Sequence, residues 1–299
     1  MTGFTQQSSK AHARFEVNAA GWDDMPITRG IAELERSWII NQPWWSPPLN
    51  GAAMDFGCGT GVLTMAIRDG LGEKVVGVDT SRAMLEQFDS RAEGRGVTTV
   101  AVELTGPGQL GPGADESFAL IYTSLTLHHI RHCERAVSTL AGYLRPGGRL
   151  VIFDLEADSR AYHQFRPSGR FEEGNQLEHR GLREGDVRGW CASTGILKDI
   201  RVDRIPFDRE NGERGNLGGA KISNLLAFTC TRARWARSPR NSICLDEMNE
   251  CLACRQREVE FVCMPCRCRA FCKRCAMKFA TGGRCKRCRN IFTAVKRLV

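Results

Sequence analysis

The chain has 299 residues and a formal net charge of +8, and this charge is unevenly distributed. Residues 232–299 hold seventeen Lys and Arg against five Asp and Glu, whereas residues 1–231 hold twenty-five against twenty-nine. Ten of the fourteen cysteines also lie in the basic C-terminal part. The length suffices for one α/β domain and a smaller module. The composition therefore predicts two domains that differ in charge and cysteine content.

The sequence argues against a membrane-spanning or secreted protein. It has no apolar run long enough to cross a bilayer, and its polar first ten residues contain no apolar signal core. We therefore expect a soluble intracellular protein, located in the cytoplasm or alternatively in the nucleus. Four segments are predicted: a disordered tail at 1–12, a large domain at 13–231, a basic linker at 232–243 and a cysteine-rich domain at 244–299.

A glycine-rich turn between two apolar strands is the most informative motif. A strand predicted at Ala52–Phe56 contains Asp55 and leads into Gly-Cys-Gly-Thr-Gly at 57–61, and a second strand ends at Asp79. Glycines permit a tight turn and let a ligand approach the backbone, and a helix start presents free N–H groups. An acid at the end of the second strand can accept hydrogen bonds from both hydroxyls of a ribose. The pattern predicts a site for a ribose-containing ligand.

The spacing of these glycines resembles motif I of class I S-adenosylmethionine-dependent methyltransferases, and it differs from the Gly-x-Gly-x-x-Gly of nicotinamide sites. The resemblance implies a Rossmann-like α/β sheet with helices on both faces, and S-adenosylmethionine as cofactor. Asp55 would face the methionine amino group and Met84 the adenine. The implied cofactor-binding residues are Asp55, Gly57, Cys58, Gly59, Gly61, Asp79, Thr80, Met84 and Glu103. The alternative is a strand-to-helix turn that binds no ligand.

Two adjacent histidines are the candidate catalytic residues. A fourth strand, predicted at 117–122, is followed by Leu-His-His at 127–129, which matches the family's Leu-His-His after this strand. By this resemblance, His128 and His129 border the transfer site. Either is a candidate general base near neutral pH. The alternative for each is a structural histidine that shapes the pocket.

The segments around these motifs complete the predicted domain. Residues 13–45 fit one or two helices, and around Trp22 they resemble the lid over cofactor and substrate in the type 11/12 group of methyltransferases. A packing role for Trp22 is the alternative. Strands at 196–202 and 224–231 are expected to complete the sheet, and residues 155–185 to select the substrate. No Asn-Pro-Pro-Tyr motif follows the fourth strand, which argues against methylation of base or glutamine amino groups. The resemblance implies a small-molecule acceptor, with a protein as the alternative.

Eight cysteines in the C-terminal part have the spacing of zinc ligands. Paired cysteines in an intracellular chain indicate tetrahedral zinc rather than disulfides. Their short middle gaps resemble the RING finger of inhibitor-of-apoptosis proteins, with Cys268 in place of the usual His. The resemblance implies two Zn²⁺ ions in a cross-brace. One ion would be held by Cys251, Cys254, Cys272 and Cys275, and the other by Cys266, Cys268, Cys285 and Cys288.

The RING resemblance implies ubiquitin ligase activity with a ubiquitin-conjugating enzyme as partner. Arg289 follows the last ligand, where such RINGs place the arginine that holds ubiquitin, and Leu252 is the candidate for the apolar contact. Ala253 and the Lys-Arg pair at 286–287 depart from the usual docking surface. Two alternatives stay open. In the first, the protein is an adaptor or a ubiquitin ligase whose methyltransferase fold binds the cofactor without catalysis. In the second, the finger is a basic module that contacts protein or, less favoured, nucleic acid.

Overall fold

In the computed structural model, the described residues are 9–72, 74–157, 181–208, 222–233, 250–264, 269–285 and 291–297. Most of the segment expected to select the substrate lies outside them, at 158–180, and so does most of the expected linker, at 234–243. No helix within the described ranges combines the length and apolar character that crossing a membrane requires.

Seven strands form one mixed sheet. Their bounds are β1 Ala52–Phe56, β2 Val75–Asp79, β3 Val97–Ala101, β4 Phe118–Ser124, β5 Leu144–Leu155, β6 Leu197–Asp208 and β7 Ile222–Arg232. The strand order is β3-β2-β1-β4-β5-β7-β6. The first five strands are parallel, and β7 runs antiparallel to β5 and β6. This topology confirms the predicted Rossmann-like methyltransferase sheet.

Helices cover both faces of this sheet. They are α1 Ser9–Asn18, α2 Pro26–Ile40, α3 Val62–Ile67, α4 Arg82–Ala92, α5 Cys133–Tyr143 and α6 Glu184–Ser193, with short 3₁₀ segments at Ala19–Asp24, Arg68–Gly70 and Leu127–His129. Helix α1 begins at Ser9, so residues 9–12 are helical although the composition assigned them to the disordered tail. Helix α2 begins with Pro26 at its first position, where the missing N–H costs nothing.

Two apolar cores hold the layers together. On one face, Ile31 and Ile39 of α2 and Leu63 of α3 pack with Tyr122 and Phe153 of the sheet. On the other face, α5 and α6 pack on the opposite side chains of the same strands, including Ile121 and Ile152. The central strands β1 and β2 are buried along almost their whole length, as expected for parallel strands covered on both sides.

The connection into β5 differs from the expected form. The segment Leu-Arg-Pro-Gly-Gly at 144–148 predicts a turn that stops a helix and leads into a strand at 150–154. In the structure the strand β5 already begins at Leu144, where it pairs with Phe118 of β4. A register shift in β4 between Phe118 and Leu120 accommodates the extra residues. The pairing with β4 thus extends the strand through the expected turn.

The cysteine-rich part forms a small module with its own core. Its elements are β8 Phe261–Met264, β9 Arg269–Phe271, α7 Lys273–Lys278, β10 Gly283–Arg284, β11 Ile291–Phe292 and β12 Ala294–Arg297. Strands β12, β8 and β9 form one sheet, and β10 pairs with β11. Phe271 and Phe292 pack with buried cysteines, among them Cys263. So few apolar side chains rarely stabilise a domain of this size without a metal or disulfides.

Candidate active site

Three glycines shape the turn between β1 and α3. Gly57, Gly59 and Gly61 have φ angles of 69°, 51° and 76°, a region that side chains other than glycine disfavour. A Cβ atom on Gly57 would lie 2.3 Å from Thr126, and one on Gly61 would lie 2.2 Å from the Phe88 ring. A Cβ on Gly59 would meet nothing within 4 Å. Side chains therefore pack against the turn at Gly57 and Gly61, whereas its backbone is uncovered at Gly59.

Asp79 ties this turn to the end of β2. Its carboxylate accepts the Gly59 N–H at 2.8 Å and the Ser81 N–H at 2.9 Å. Burial raises the pKa of Asp79, although these hydrogen bonds oppose the rise. A carboxylate has about four acceptor positions, and backbone N–H groups of Ser81, Gly59 and Thr80 occupy up to three of them, so Asp79 keeps capacity for at least one ribose hydroxyl. Its position beside the uncovered Gly59 backbone fits the cofactor that the motif implies.

The other implied cofactor residues surround the same turn. Ser81, rather than Thr80, caps α4, because its hydroxyl accepts the Met84 N–H at 3.2 Å. Met84 itself is buried. The Cys58 side chain packs with Phe88 and Leu85, and burial raises the pKa of its thiol well above the ordinary value. Any contribution of Cys58 to ligand binding therefore comes from its backbone.

Glu103 lies in the loop after β3, which ends at Ala101. Its carbonyl oxygen accepts a hydrogen bond from Gln109 Nε2 at 3.1 Å. The loop is thus held in place at the carboxyl edge of the sheet, where ligands of open α/β sheets bind.

Asp55 lies beneath the turn in a buried polar network. The Thr64 hydroxyl donates to the Asp55 carboxylate at 2.6 Å, and the Tyr122 hydroxyl donates to Thr64 at 2.6 Å. Asp55 is 3% exposed. Burial, reinforced by the charge of Asp79, raises the pKa of Asp55 to about 7. A cation bound nearby would favour the ionised carboxylate, which fits the amino group of the implied cofactor.

The two candidate histidines differ in their hydrogen bonds. His128 Nδ1 donates to Asp154 Oδ1 at 2.6 Å, and the His128 backbone N–H donates to Asp154 Oδ2 at 3.1 Å. His129 Nδ1 is buried without a partner, and burial lowers the pKa of His129 well below its ordinary value. His128 is therefore an oriented imidazole, whereas His129 stays neutral.

The N-terminal segment contacts each side of this site. His12 Nε2 donates to the Thr80 carbonyl oxygen at 3.2 Å, and the Phe15 ring packs edge-on against His129 with 5.3 Å between centroids. The Thr60 hydroxyl donates to Asp23 at 2.5 Å. Trp22, the expected lid residue, packs on Phe15 at 5.4 Å. The segment thus packs against both the glycine turn and His129.

Glu35 of α2 is a site residue that the sequence analysis missed. It is 1% exposed, and its Oε1 atom accepts the Ser124 hydroxyl at 2.6 Å. Burial raises the pKa of Glu35 to about 8. The available signal was an acid at the helical spacing of Ile31 and Ile39, on the apolar face of the helix.

In the C-terminal module, the four cysteines expected to hold the first zinc ion come together. The sulfur atoms of Cys251, Cys254, Cys272 and Cys275 lie within 4.8 Å of one another. The Cys254 and Cys272 sulfurs are 3.9 Å apart, close to the edge of about 3.8 Å in a tetrahedron with Zn–S bonds of about 2.3 Å. The group therefore fits a tetrahedral zinc ion.

The second expected zinc set is only partly described. Cys285 is buried in the core of the module, whereas Cys266, Cys268 and Cys288 lie outside the described residues. Arg289 also lies outside them, and Leu252 packs half-buried against the core.

The comparisons with known proteins identify the larger domain. A family model described as a methyltransferase domain matches residues 54–152. The O-methyltransferase cnsE of Penicillium expansum is 32% identical over 226 residues, which cover 71% of this chain and 79% of that protein. The chain belongs to the class I S-adenosylmethionine-dependent methyltransferases.

Two further matches agree with this assignment. The ubiquinone biosynthesis O-methyltransferase of Nitrosococcus oceani is 28% identical to this methyltransferase, over 62% of the chain and 80% of that protein. A solved Thermotoga maritima structure, described as a possible histamine N-methyltransferase, superposes with a TM-score of 0.52 at 17% identity. The superposed region covers 73% of this chain and 98% of the Thermotoga maritima chain, and it supports the fold.

Proposed function

We propose that the methyltransferase transfers a methyl group from S-adenosylmethionine to a hydroxyl group of a small-molecule acceptor. The observation that carries the proposal is the uncovered backbone of Gly59 beside the Asp79 carboxylate. Two relatives are named as O-methyltransferases, which favours oxygen as the acceptor atom. A protein hydroxyl is the alternative acceptor.

In this proposal, Asp79 and the backbone at Gly59 hold the ribose, and Asp55 lies under the methionine end. S-adenosylmethionine, when bound, supplies a methyl group activated by its sulfonium charge. The protein then has to orient the acceptor in line with that methyl group and exclude water. The packing of α1 and α2 over the site serves the exclusion of water.

His128 is the proposed general base. Its Nδ1–H is held by Asp154, so the Nε2 lone pair is left to accept the hydroxyl proton as the new carbon–oxygen bond forms. This arrangement follows the logic by which a carboxylate fixes the tautomer of a catalytic histidine. We assign His129 a shaping role, because its lowered pKa makes it a poorer base.

The first test is calorimetric titration of S-adenosylmethionine into the wild type, Asp79→Ala and Asp69→Ala. Asp69 is an exposed acid at the far end of α3 and serves as the matched control. We expect binding by the wild type and by the control, and loss of binding in Asp79→Ala. No binding by the wild type would refute the proposal. A screen of phenols and aliphatic alcohols against amines then tests the acceptor class.

We also propose that Cys251, Cys254, Cys272 and Cys275 hold a Zn²⁺ ion. The closeness of their sulfur atoms and the small core of the module support this. Metal analysis of the purified chain tests it, with Cys272→Ser as the variant. A zinc content that Cys272→Ser leaves unchanged would contradict the proposal.

A second zinc ion at Cys266, Cys268, Cys285 and Cys288, and ubiquitin ligase activity, are proposals that rest on the RING resemblance of the sequence. Autoubiquitination assays with a panel of conjugating enzymes test the ligase, with Arg289→Ala as the variant. Activity that persists in Arg289→Ala, or no activity with any enzyme of the panel, would leave the module as a zinc-stabilised contact surface.

A further inference from the structure

Glu35 is an acidic side chain placed where an apolar one would suffice. It lies between Ile31 and Ile39 on the buried face of α2, and it meets Ser124 at the carboxyl end of β4. Its Oε1 atom has the Ser124 hydroxyl as partner, whereas its Oε2 atom is buried and has none. A buried polar atom without a partner is costly and calls for an explanation.

The charged groups that act on Glu35 are both acidic. Asp55 projects from β1 and Asp154 from β5, and both carboxylates disfavour the ionised form of Glu35. The Ser124 hydroxyl on β4 is a further polar neighbour of Glu35. An ionised carboxylate in these surroundings is stable only with a cation beside it. The surroundings of Glu35 therefore suit a positively charged ligand group.

Other polar atoms around the end of β4 are also incomplete. Within the described residues, Thr123 Oγ1 and His129 Nδ1 are buried side-chain atoms without a hydrogen-bond partner. Both lie within five residues of Ser124 along the chain, at the edge of the sheet where ligands of this fold class bind. Polar atoms without partners thus lie at the end of β4 and just after it, at the edge of the sheet where the cofactor is proposed to lie.

We propose that Glu35 is a further cofactor-binding residue, whose unpartnered oxygen accepts a hydrogen bond from the ammonium group of the cofactor's methionine end. The proposal rests on the proposed function, since it requires S-adenosylmethionine at the site. An amine acceptor would offer the same ammonium chemistry. We favour the cofactor because Asp55, the neighbour of Glu35, is the acid that the family resemblance assigns to the methionine amino group.

Cofactor binding is expected to release a proton from the Glu35 carboxyl group. At pH 7 a carboxyl group with a pKa of about 8 is about nine-tenths protonated. An ammonium group at Glu35 favours the carboxylate, so cofactor binding releases this proton. Glu35→Gln keeps the size and the acceptor for Ser124 but has no proton to release. The wild type should therefore release about 0.9 proton more per bound ligand than Glu35→Gln at pH 7.

The experiment is calorimetric titration of S-adenosylhomocysteine in buffers of different ionisation enthalpy. This ligand has the ammonium group but neither the sulfonium charge nor a need for an acceptor. We expect Glu35→Gln to bind about tenfold more weakly than the wild type at pH 8. The ratio of the two affinities should rise about fivefold from pH 7 to pH 8, as Glu35 ionises in the wild type. Contributions from Asp55 and from the ligand cancel in this ratio.

Glu33→Gln is the matched control, because Glu33 lies on the same helix but is exposed and pairs with Arg36. It should retain the affinity and the proton release of the wild type. If the wild type and the control bind, and Glu35→Gln binds equally well with equal proton release, Glu35 does not meet the cofactor. That result overturns the inference and leaves the proposed function standing. No binding by the wild type refutes the proposed function instead.

If Glu35→Gln fails to fold, the wild type alone still tests whether Glu35 contacts the cofactor. The wild type alone should release more than one proton at pH 7, because Asp55, with a pKa of about 7, contributes about half a proton besides that of Glu35. Release of half a proton or less by the wild type overturns the inference. Glu35→Asp provides a second variant, which keeps the carboxyl group but withdraws it from the site. It should bind more weakly and release fewer protons than the wild type.

Discussion

Alanine substitutions at Gly59 and Gly61 should separate ligand binding from folding. Both residues have left-handed backbone conformations, which cost a residue with a side chain about 1–2 kcal/mol. They differ in what a new methyl group would meet. At Gly61 it would lie 2.2 Å from the Phe88 ring, which is fully buried, whereas at Gly59 it would meet nothing within 4 Å.

The magnitudes follow from this difference. Overpacking a buried ring adds about 1–3 kcal/mol, so Gly61→Ala should lower the free energy of unfolding by about 2–5 kcal/mol in all. Gly59→Ala should lower it by about 1–2 kcal/mol, the backbone term alone. For a domain of this size, each kcal/mol corresponds to about 2–4 °C in Tm. Gly59→Ala nevertheless places its methyl group where the cofactor is proposed to lie.

Urea denaturation and calorimetric titration of S-adenosylmethionine are the assays for this pair. Gly59→Ala should remain folded but lose most of its cofactor affinity, and Gly61→Ala should show the larger loss of stability. Gly94→Ala is a control for the backbone term, because Gly94 also has a positive φ and open space, but follows α4 away from the turn. Wild-type affinity in Gly59→Ala would refute the reasoning, because the uncovered backbone would then not be the ligand surface.

Three further predictions concern protonation and metal binding. His128→Gln should lower turnover by about 10²–10⁴-fold with unchanged cofactor affinity, and Asp154→Asn should also lower turnover. Unchanged turnover in both variants would exclude His128 as the general base. The raised pKa of Glu35 means that the folded protein binds more protons than the unfolded chain, so stability without ligand should fall as pH rises from about 5 to 8. Denaturation at both pH values tests this, and Glu35→Gln should show a smaller fall. A chelator should unfold the C-terminal module and leave the sheet intact, and Cys272→Ser should mimic it, whereas Cys191→Ser, in the sheet domain, should not.

The backbone path of the glycine turn was predictable from the sequence. Gly57, Gly59 and Gly61 specify a backbone path that only glycine follows readily, and that path can be inferred without tertiary contacts. Asp79 follows from its place at the end of a strand. Thr80 and Ser81 both have hydroxyls that could cap α4, and the structure assigns the cap to Ser81.

The lid contacts could not be predicted in the same way. The pairing of Asp23 with Thr60 joins residues 37 positions apart, and that of Glu35 with Ser124 joins residues 89 positions apart. A polar residue on a helix face indicates burial only once its neighbours are known. The boundary of the disordered tail was misplaced for a related reason, since α1 packs against α4 and His12 bonds the loop before it. Tertiary packing here overrides a polar composition.

The lid and the cofactor turn are linked through shared residues. Glu16 accepts the Ala83 N–H in the first turn of α4, Asp23 accepts the Thr60 hydroxyl in the glycine turn, and Glu35 accepts the Ser124 hydroxyl at the end of β4. All three lid groups are acids, and each contacts an element that borders the proposed cofactor. Glu35 is the buried one of the three, so a cationic ligand beside it lowers the cost of its ionised carboxylate and stabilises the packing of α2 over the site. The packing of α2 over the site and cofactor binding should therefore be coupled in this methyltransferase.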